Sequence, residues 1–132
     1  MMPAGTYWIG DLCYVMHERW DEFCALTIVD DKCLDGEFVF ADGVRFATYG
    51  TKYGDGGYTD QFGHDYGVDA GLIGCVLLSD IDKNNEHNHL GDGHVVTFLE
   101  DFYTSGGRAT DKNWNGVIRF GNIRIATGDE DE

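Results

Sequence analysis

One proline in 132 residues, nine lysines and arginines against 24 aspartates and glutamates, and no apolar run near the roughly 18 residues that cross a bilayer are the first features of this sequence. Each scarcity excludes something. Without such a run, and with no basic, apolar, small-residue leader at its start, the chain is expected to be neither exported nor membrane-bound, which points to the cytoplasm. The shortage of cations disfavours direct contact with DNA or RNA, because an acidic field repels phosphate backbones and attracts basic surfaces. The imbalance is not local: residues 1–66 hold four basic and twelve acidic side chains, residues 67–132 five and twelve, and the total is −15. Cys13, Cys24, Cys33 and Cys75 show no C-x-x-C spacing, so they are expected to be reduced, buried thiols that pack as small hydrophobes. No serine lies in a G-x-S-x-G turn, and Gly54-Asp55-Gly56-Gly57 lacks the Lys-Ser/Thr that completes a phosphate loop.

What is present is apolar bulk enough for a core, with 42% hydrophobic and 14% aromatic residues, and no repeat or low-complexity segment to divide the chain. A single domain over residues 1–132 is expected, closed by an acidic tail over 127–132. The most constrained stretch is residues 49–74, where eight glycines alternate with Tyr49, Tyr53, Tyr58 and Tyr66. Glycine at that density supplies turns and the tyrosines supply strand-forming bulk, which predicts two short strands joined by turns.

The remaining elements follow from periodicity. Thr6–Ile9 predicts a strand stopped at Gly10-Asp11, with a second apolar run over Leu12–Val15. Met16, Trp20, Phe23 and Cys24 recur at helical spacing behind acidic residues, which predicts one N-terminal helix that packs on the sheet through Trp20 and Phe23. Asp42-Gly43 between alternating runs and Gly121-Asn122 between Val117–Phe120 and Ile123–Ala126 predict hairpins. Leu72–Leu78 is almost wholly apolar, as suits a central strand covered on both faces. Residues 79–93 are polar and turn-rich and predict an exposed loop before a strand from His94. The fold class expected is α+β, a single domain of mostly antiparallel strands in a curled sheet or small barrel with one N-terminal helix.

Candidate site residues concentrate in the glycine-rich stretch. Tyr53, Asp55, Tyr58, Asp60 and Asp65 are the expected partner-binding set. Two groups have metal-ligand composition: Asp55, Asp60, His64, Asp65 and Asp69, whose spacing does not fit a calcium loop, and His87, His89, Asp92 and His94. Turn aspartates commonly cap their own backbone and loop histidines commonly stay solvated, so no metal and no cofactor is assigned. Tyr53, Tyr58, Tyr103 and Trp114 could stack a base, but aromatic residues of this kind are more often packing.

Tyr7-Trp8-Ile9-Gly10-Asp11-Leu12-Cys13-Tyr14-Val15, Trp20-x-x-Phe23-Cys24, Tyr53-Gly54-Asp55-Gly56, Val68-Asp69-Ala70-Gly71-Leu72-Ile73-Gly74 and Ser79-Asp80-Ile81 occur in that order. This series resembles an uncharacterised family of short phage and bacterial proteins, whose opening motif typically has proline where this chain has Leu12. The resemblance covers about residues 6–81 and implies a context, not a reaction. The function expected is therefore a non-enzymatic acidic interaction protein, a phage-encoded inhibitor of a host defence system of the anti-CRISPR or DNA-mimic type, acting in the host cytoplasm on a basic protein surface such as that of a nucleic-acid-binding nuclease. The alternatives are a protein that sequesters a nucleotide signal, which would need Arg45, Lys52, Arg108, Lys112, Arg119 or Arg124 to converge, and a metal-dependent hydrolase.

Overall fold

The computed structural model describes residues 1–106 and 116–127. Arg108, Lys112, Trp114 and all of the acidic tail beyond Thr127 lie outside the described residues. The chain opens with β1 (Gly5–Gly10), makes single 3-10 turns at Leu12–Tyr14 and His17–Arg19, and enters the helix α1 (Trp20–Thr27). There follow β2 (Ile28–Val29), β3 (Lys32–Cys33), β4 (Gly36–Val39), β5 (Arg45–Gly50), β6 (Gly56–Asp60), β7 (Asp65–Val68) and β8 (Leu72–Leu77). The last four strands are β9 (His94–Phe98), β10 (Thr104–Ser105), β11 (Val117–Phe120) and β12 (Ile123–Ala126). One five-stranded sheet has the order β4-β5-β8-β1-β9, a second has the order β10-β11-β12-β6-β7, and β2 and β3 form a separate ribbon. All strand pairs among them are antiparallel. The class is α+β as expected, but among the described residues the strands make two open sheets and no closed barrel.

Side-chain alternation explains the layering. Along β1, Tyr7 and Ile9 join a core with Tyr66, Ile118, Phe120 and Ile125 of the second sheet, while Trp8 between them faces Phe23, Phe40, Phe46 and Val76 on the other side. The first sheet is thus sandwiched between the second sheet and α1. That is why β8 reads as a continuous apolar run: Ile73 and Cys75 enter one core, Leu72 and Val76 the other. Full burial of each such side chain contributes about 1.5–3 kcal/mol. The close spacing of β8 to its neighbour requires a glycine, because a Cβ on Gly74 would strike the Ala47 carbonyl oxygen and the Leu12 side chain. Gly93 similarly leaves room for the Trp8 indole, whose Nε1–H donates to the Leu90 carbonyl at 2.8 Å.

The helix is shorter than its apolar pattern suggests. It starts at Trp20 after a separate turn and ends where Thr27-Ile28-Val29 introduces a β-branched run. Phe23 is buried, stacks on Trp20 with ring centres 4.5 Å apart and meets Phe46 at 5.1 Å, which fixes α1 on the sheet as expected. The apolar run after Asp11 begins with the 3-10 turn Leu12–Tyr14, where the Asp11 carboxylate accepts the Cys13 N–H at 3.0 Å and closes the backbone locally.

Both hairpins form as expected, with Val39 opposite Arg45 across one and Phe120 opposite Ile123 across the other. The glycine-rich stretch supplies β6, β7 and the start of β8. Residues 79–93 are largely exposed and contain a further 3-10 turn at Leu90–Asp92. None of the four cysteines is disulfide-bonded. Cys75 is buried as expected, but Cys13 and Cys24 are half-buried and Cys33 is exposed on the edge of the β2–β3 ribbon, so packing does not account for all four. Among the described residues no helix is long and apolar enough to cross a membrane.

Candidate functional site

Two aspartates with opposite fates organise the glycine-rich stretch. Asp11, at the end of β1, is completely buried. Its Oδ1 accepts from Cys13 N–H, and its Oδ2 accepts from the N–H groups of Asp69 at 2.8 Å and Ala70 at 2.6 Å. One carboxylate therefore ties the opening motif to Val68-Asp69-Ala70-Gly71, 58 residues further along the chain. Three charge-assisted bonds offset the cost of burying the charge.

Asp60, the last residue of β6, has a side chain with no solvent exposure. Its Oδ1 accepts the backbone N–H groups of Phe62 at 2.8 Å and His64 at 3.0 Å, closing the turn into β7. Its Oδ2 accepts the Tyr66 hydroxyl at 2.8 Å and lies 3.0 Å from His64 Nδ1. Burial alone would raise the carboxyl pKa, but the bonds from His64, Tyr66 and Phe62 outweigh it and hold the value below the usual carboxylate range. Burial and the same partner push the Tyr66 phenol well up, so it remains the donor.

His64 carries this network outward. Its ring meets His94 of β9 edge to face, with centres 3.6 Å apart, and so bridges the second sheet to the edge strand of the first. An aspartate that orients a histidine is also part of a hydrolytic dyad. Here, among the described residues, no hydroxyl or thiol hydrogen-bonds to either ring, and the arrangement braces two strands.

The expected partner-binding set divides accordingly. Asp55 is exposed in the turn before β6, Asp65 is exposed at the start of β7, and Tyr53 is exposed beside the glycine turn. Tyr58 is half-buried, and its hydroxyl donates to the Gly54 carbonyl at 2.9 Å. Asp60 leaves the set: a side chain enclosed on every side cannot reach a partner, and its oxygens already serve the turn. Phe62, not singled out in the sequence, is 59% exposed at the tip between β6 and β7 and joins the surface. Asp69 is exposed, but its backbone is held by Asp11 and its carboxylate faces the Tyr14 hydroxyl.

The metal-like compositions do not converge. His87 lies against His17 with ring centres 4.5 Å apart, His89 donates its backbone N–H to the Tyr14 carbonyl, and His94 pairs with His64. Among the described residues no group of three or more His, Cys, Asp or Glu side chains is arranged to hold a metal ion. The cations are likewise divided. Arg45 contacts Glu37 and the Met1 carbonyl at one edge of the first sheet, and Arg19 pairs with Asp42 at 2.9 Å, whereas Arg119 and Arg124 face each other across β11 and β12.

Asp11 was readable only as a turn aspartate, since its partners lie far along the chain. The sign that could have singled it out is the order of the two motifs it joins. Comparison of the chain with family models, with curated proteins and with solved structures finds no match, so its function is argued from these residues and their geometry.

Proposed function

We propose that this chain is a non-enzymatic acidic interaction protein that covers a basic protein surface. In its sharper form it is a phage-encoded inhibitor of a host defence system that competes, as a DNA mimic or anti-CRISPR protein does, for the nucleic-acid-binding surface of a nuclease complex. The phage context rests on the resemblance of the opening and Val-Asp-Ala-Gly motifs. The observation that carries the reading is the division of labour among the carboxylates: Asp11 and Asp60 are consumed inside the fold, while Asp55 and Asp65 remain at the surface with Tyr53 and Phe62 among them. With a net charge of −15, such a surface attracts a basic partner over about a Debye length, roughly 8–10 Å at physiological salt. Exposed aromatic side chains then supply desolvated contact area.

A nucleotide-sequestering role would need several cations to converge on one cleft. Arg45 and Arg19 are instead each engaged by a carboxylate, of Glu37 and Asp42 respectively. The experiment that tests the proposal is capture from host lysate with the tagged chain, followed by elution with salt and competition with duplex DNA. The proposal expects basic, nucleic-acid-binding proteins that salt and duplex DNA both release. Capture that neither disturbs would overturn it.

A further inference from the structure

The first sheet ends on β4 and β9, the second on β10 and β7. Edge strands are ordinarily blunted by shortness, by lysine or proline, or by a covering segment. β10 is two residues long, and β4 is flanked by Met1 and Thr104, which both bond to Glu37. β9, His94-Val95-Val96-Thr97-Phe98, is the longest of the four edges and contains neither lysine nor proline. A Cβ on Gly93 would strike the Ile9 carbonyl oxygen, so that carbonyl is turned toward β9. Ile9 stands opposite His94, so His94, Val96 and Phe98 direct their N–H and C=O groups to β1, and Val95 and Thr97 direct theirs outward. Val95 is 49% exposed and Thr97 is exposed beside it, and among the described residues no backbone group bonds to this outer side.

The side chains give the edge its chemistry. On the face that carries α1, Phe38, Phe46, Val76, Trp8 and Val95 stand opposite one another in a single row across all five strands. The first four belong to the core under the helix, whereas Val95 ends the row in solvent. An apolar residue on an added strand would continue the row beside Val95. Both ends of the edge are acidic: Asp92 precedes β9, Glu100 and Asp101 follow it, and all three are exposed. Those charges select the occupant. A second copy paired antiparallel with Val96 facing Val96 would set Asp92 against Glu100 at both ends, between chains that each carry −15. A peptide with basic ends meets opposite charge there instead.

From the outward Val95 and Thr97 backbone, the unfinished apolar row and the acidic ends, we propose that β9 accepts an extended peptide of alternating apolar residues flanked by lysine or arginine. The peptide adds a further strand to the first sheet, its main chain bonded to Val95 and Thr97 and its ends paired with the acidic flanks. This edge goes beyond the Asp55 and Asp65 surface and does not depend on it.

The test titrates the whole chain with the capped peptide Lys-Val-Thr-Val-Thr-Val-Lys. One control peptide has glutamate in place of both lysines, and another has every central amide N-methylated. Saturable amide shifts centred on residues 93–99 and slowed hydrogen exchange at Val95 and Thr97 are expected, with both controls at least about tenfold weaker. Thr97→Pro removes one outward N–H, a change that an edge strand tolerates, so the variant should keep the parent's fold and bind at least about tenfold more weakly. The N-methylated peptide leaves the protein unaltered and tests the edge even where that variant fails to fold. Asp55→Asn/Asp65→Asn should bind the peptide like the parent, which separates this edge from the acidic surface. The proposal is overturned by binding that survives N-methylation, by the glutamate peptide binding as tightly as the lysine one, by loss of binding in the Asp55→Asn/Asp65→Asn variant, or by a dimer of the chain that itself covers residues 94–98.

Discussion

Replacing Asp11 by alanine removes the acceptor for three backbone N–H groups, those of Cys13, Asp69 and Ala70, at 3.0, 2.8 and 2.6 Å. Hydrogen bonds to a charged group contribute about 1.5–3 kcal/mol each, but these three do not simply add. Residues 69 and 70 are exposed, so water can reach their amides once the carboxylate has gone, whereas Asp11 itself is fully buried and leaves a void. A net loss of about 2–4 kcal/mol is expected, a large part of the 5–15 kcal/mol that holds a typical domain together. Asp11→Asn distinguishes the bonds from the void. The amide keeps the volume but offers one oxygen, so in either orientation an NH2 faces a backbone donor, and about 1.5–3 kcal/mol is expected. Urea denaturation reads the shift in midpoint, and hydrogen exchange at the amides of 13, 69 and 70 shows whether the loss is at this latch. Both variants melting within about 0.5 kcal/mol of the parent, as ordinary surface changes do, would refute the claim that this carboxylate joins the two motifs.

Phe23→Ala should destabilise the protein by about 3–5 kcal/mol in the same denaturation assay, and Trp20→Ala by clearly less, because Phe23 is fully enclosed and Trp20 is not. The folded-state pKa of Asp60 is depressed below its unfolded value of about 3.9, so its stabilisation is present above that pH and is lost as pH falls through the folded value. Asp60→Asn should therefore flatten the acid limb of the stability curve below about pH 4, and an unchanged acid limb would show that the turn does not depend on this charge. Reductant should leave the melting temperature unchanged, and alkylation should reach Cys33 first and Cys75 only on unfolding, since burial pushes the Cys75 thiol far up and that of Cys13 up to about 12.

The elements were legible where a single local rule decides them. Asp42-Gly43 and Gly121-Asn122 specify hairpins through turn chemistry, and the Leu72–Leu77 run specifies a strand covered twice. Leu12–Val15 carries no element assignment from sequence because an apolar run of four fits a strand or a turn equally, and the Asp11 side chain decides it. The division into two sheets was hidden for a related reason: β6 and β7 lie between β5 and β8 in sequence, yet β6 pairs with β12 and β7 with β6, while β5 pairs directly with β8. Such pairing depends on contacts across the chain that no window of sequence contains. Within the candidate stretch, sequence does not separate one carboxylate from another. Asp55, Asp60 and Asp65 look alike in sequence, and only the inward turn of the β6 end separates the buried Asp60 from the two exposed carboxylates.

The central claim, that exposed carboxylates of the glycine-rich stretch bind a basic protein surface, is tested most directly by titrating the chain and its Asp55→Asn/Asp65→Asn variant against the captured partner at low and high salt. The two substitutions leave Asp11 and Asp60 in place, so the variant should keep the parent's stability. The parent's affinity is expected to fall at least about tenfold between roughly 50 and 300 mM salt, and the variant to bind more weakly with a shallower salt dependence. Salt-independent binding, or a folded variant that binds like the parent, would contradict the account.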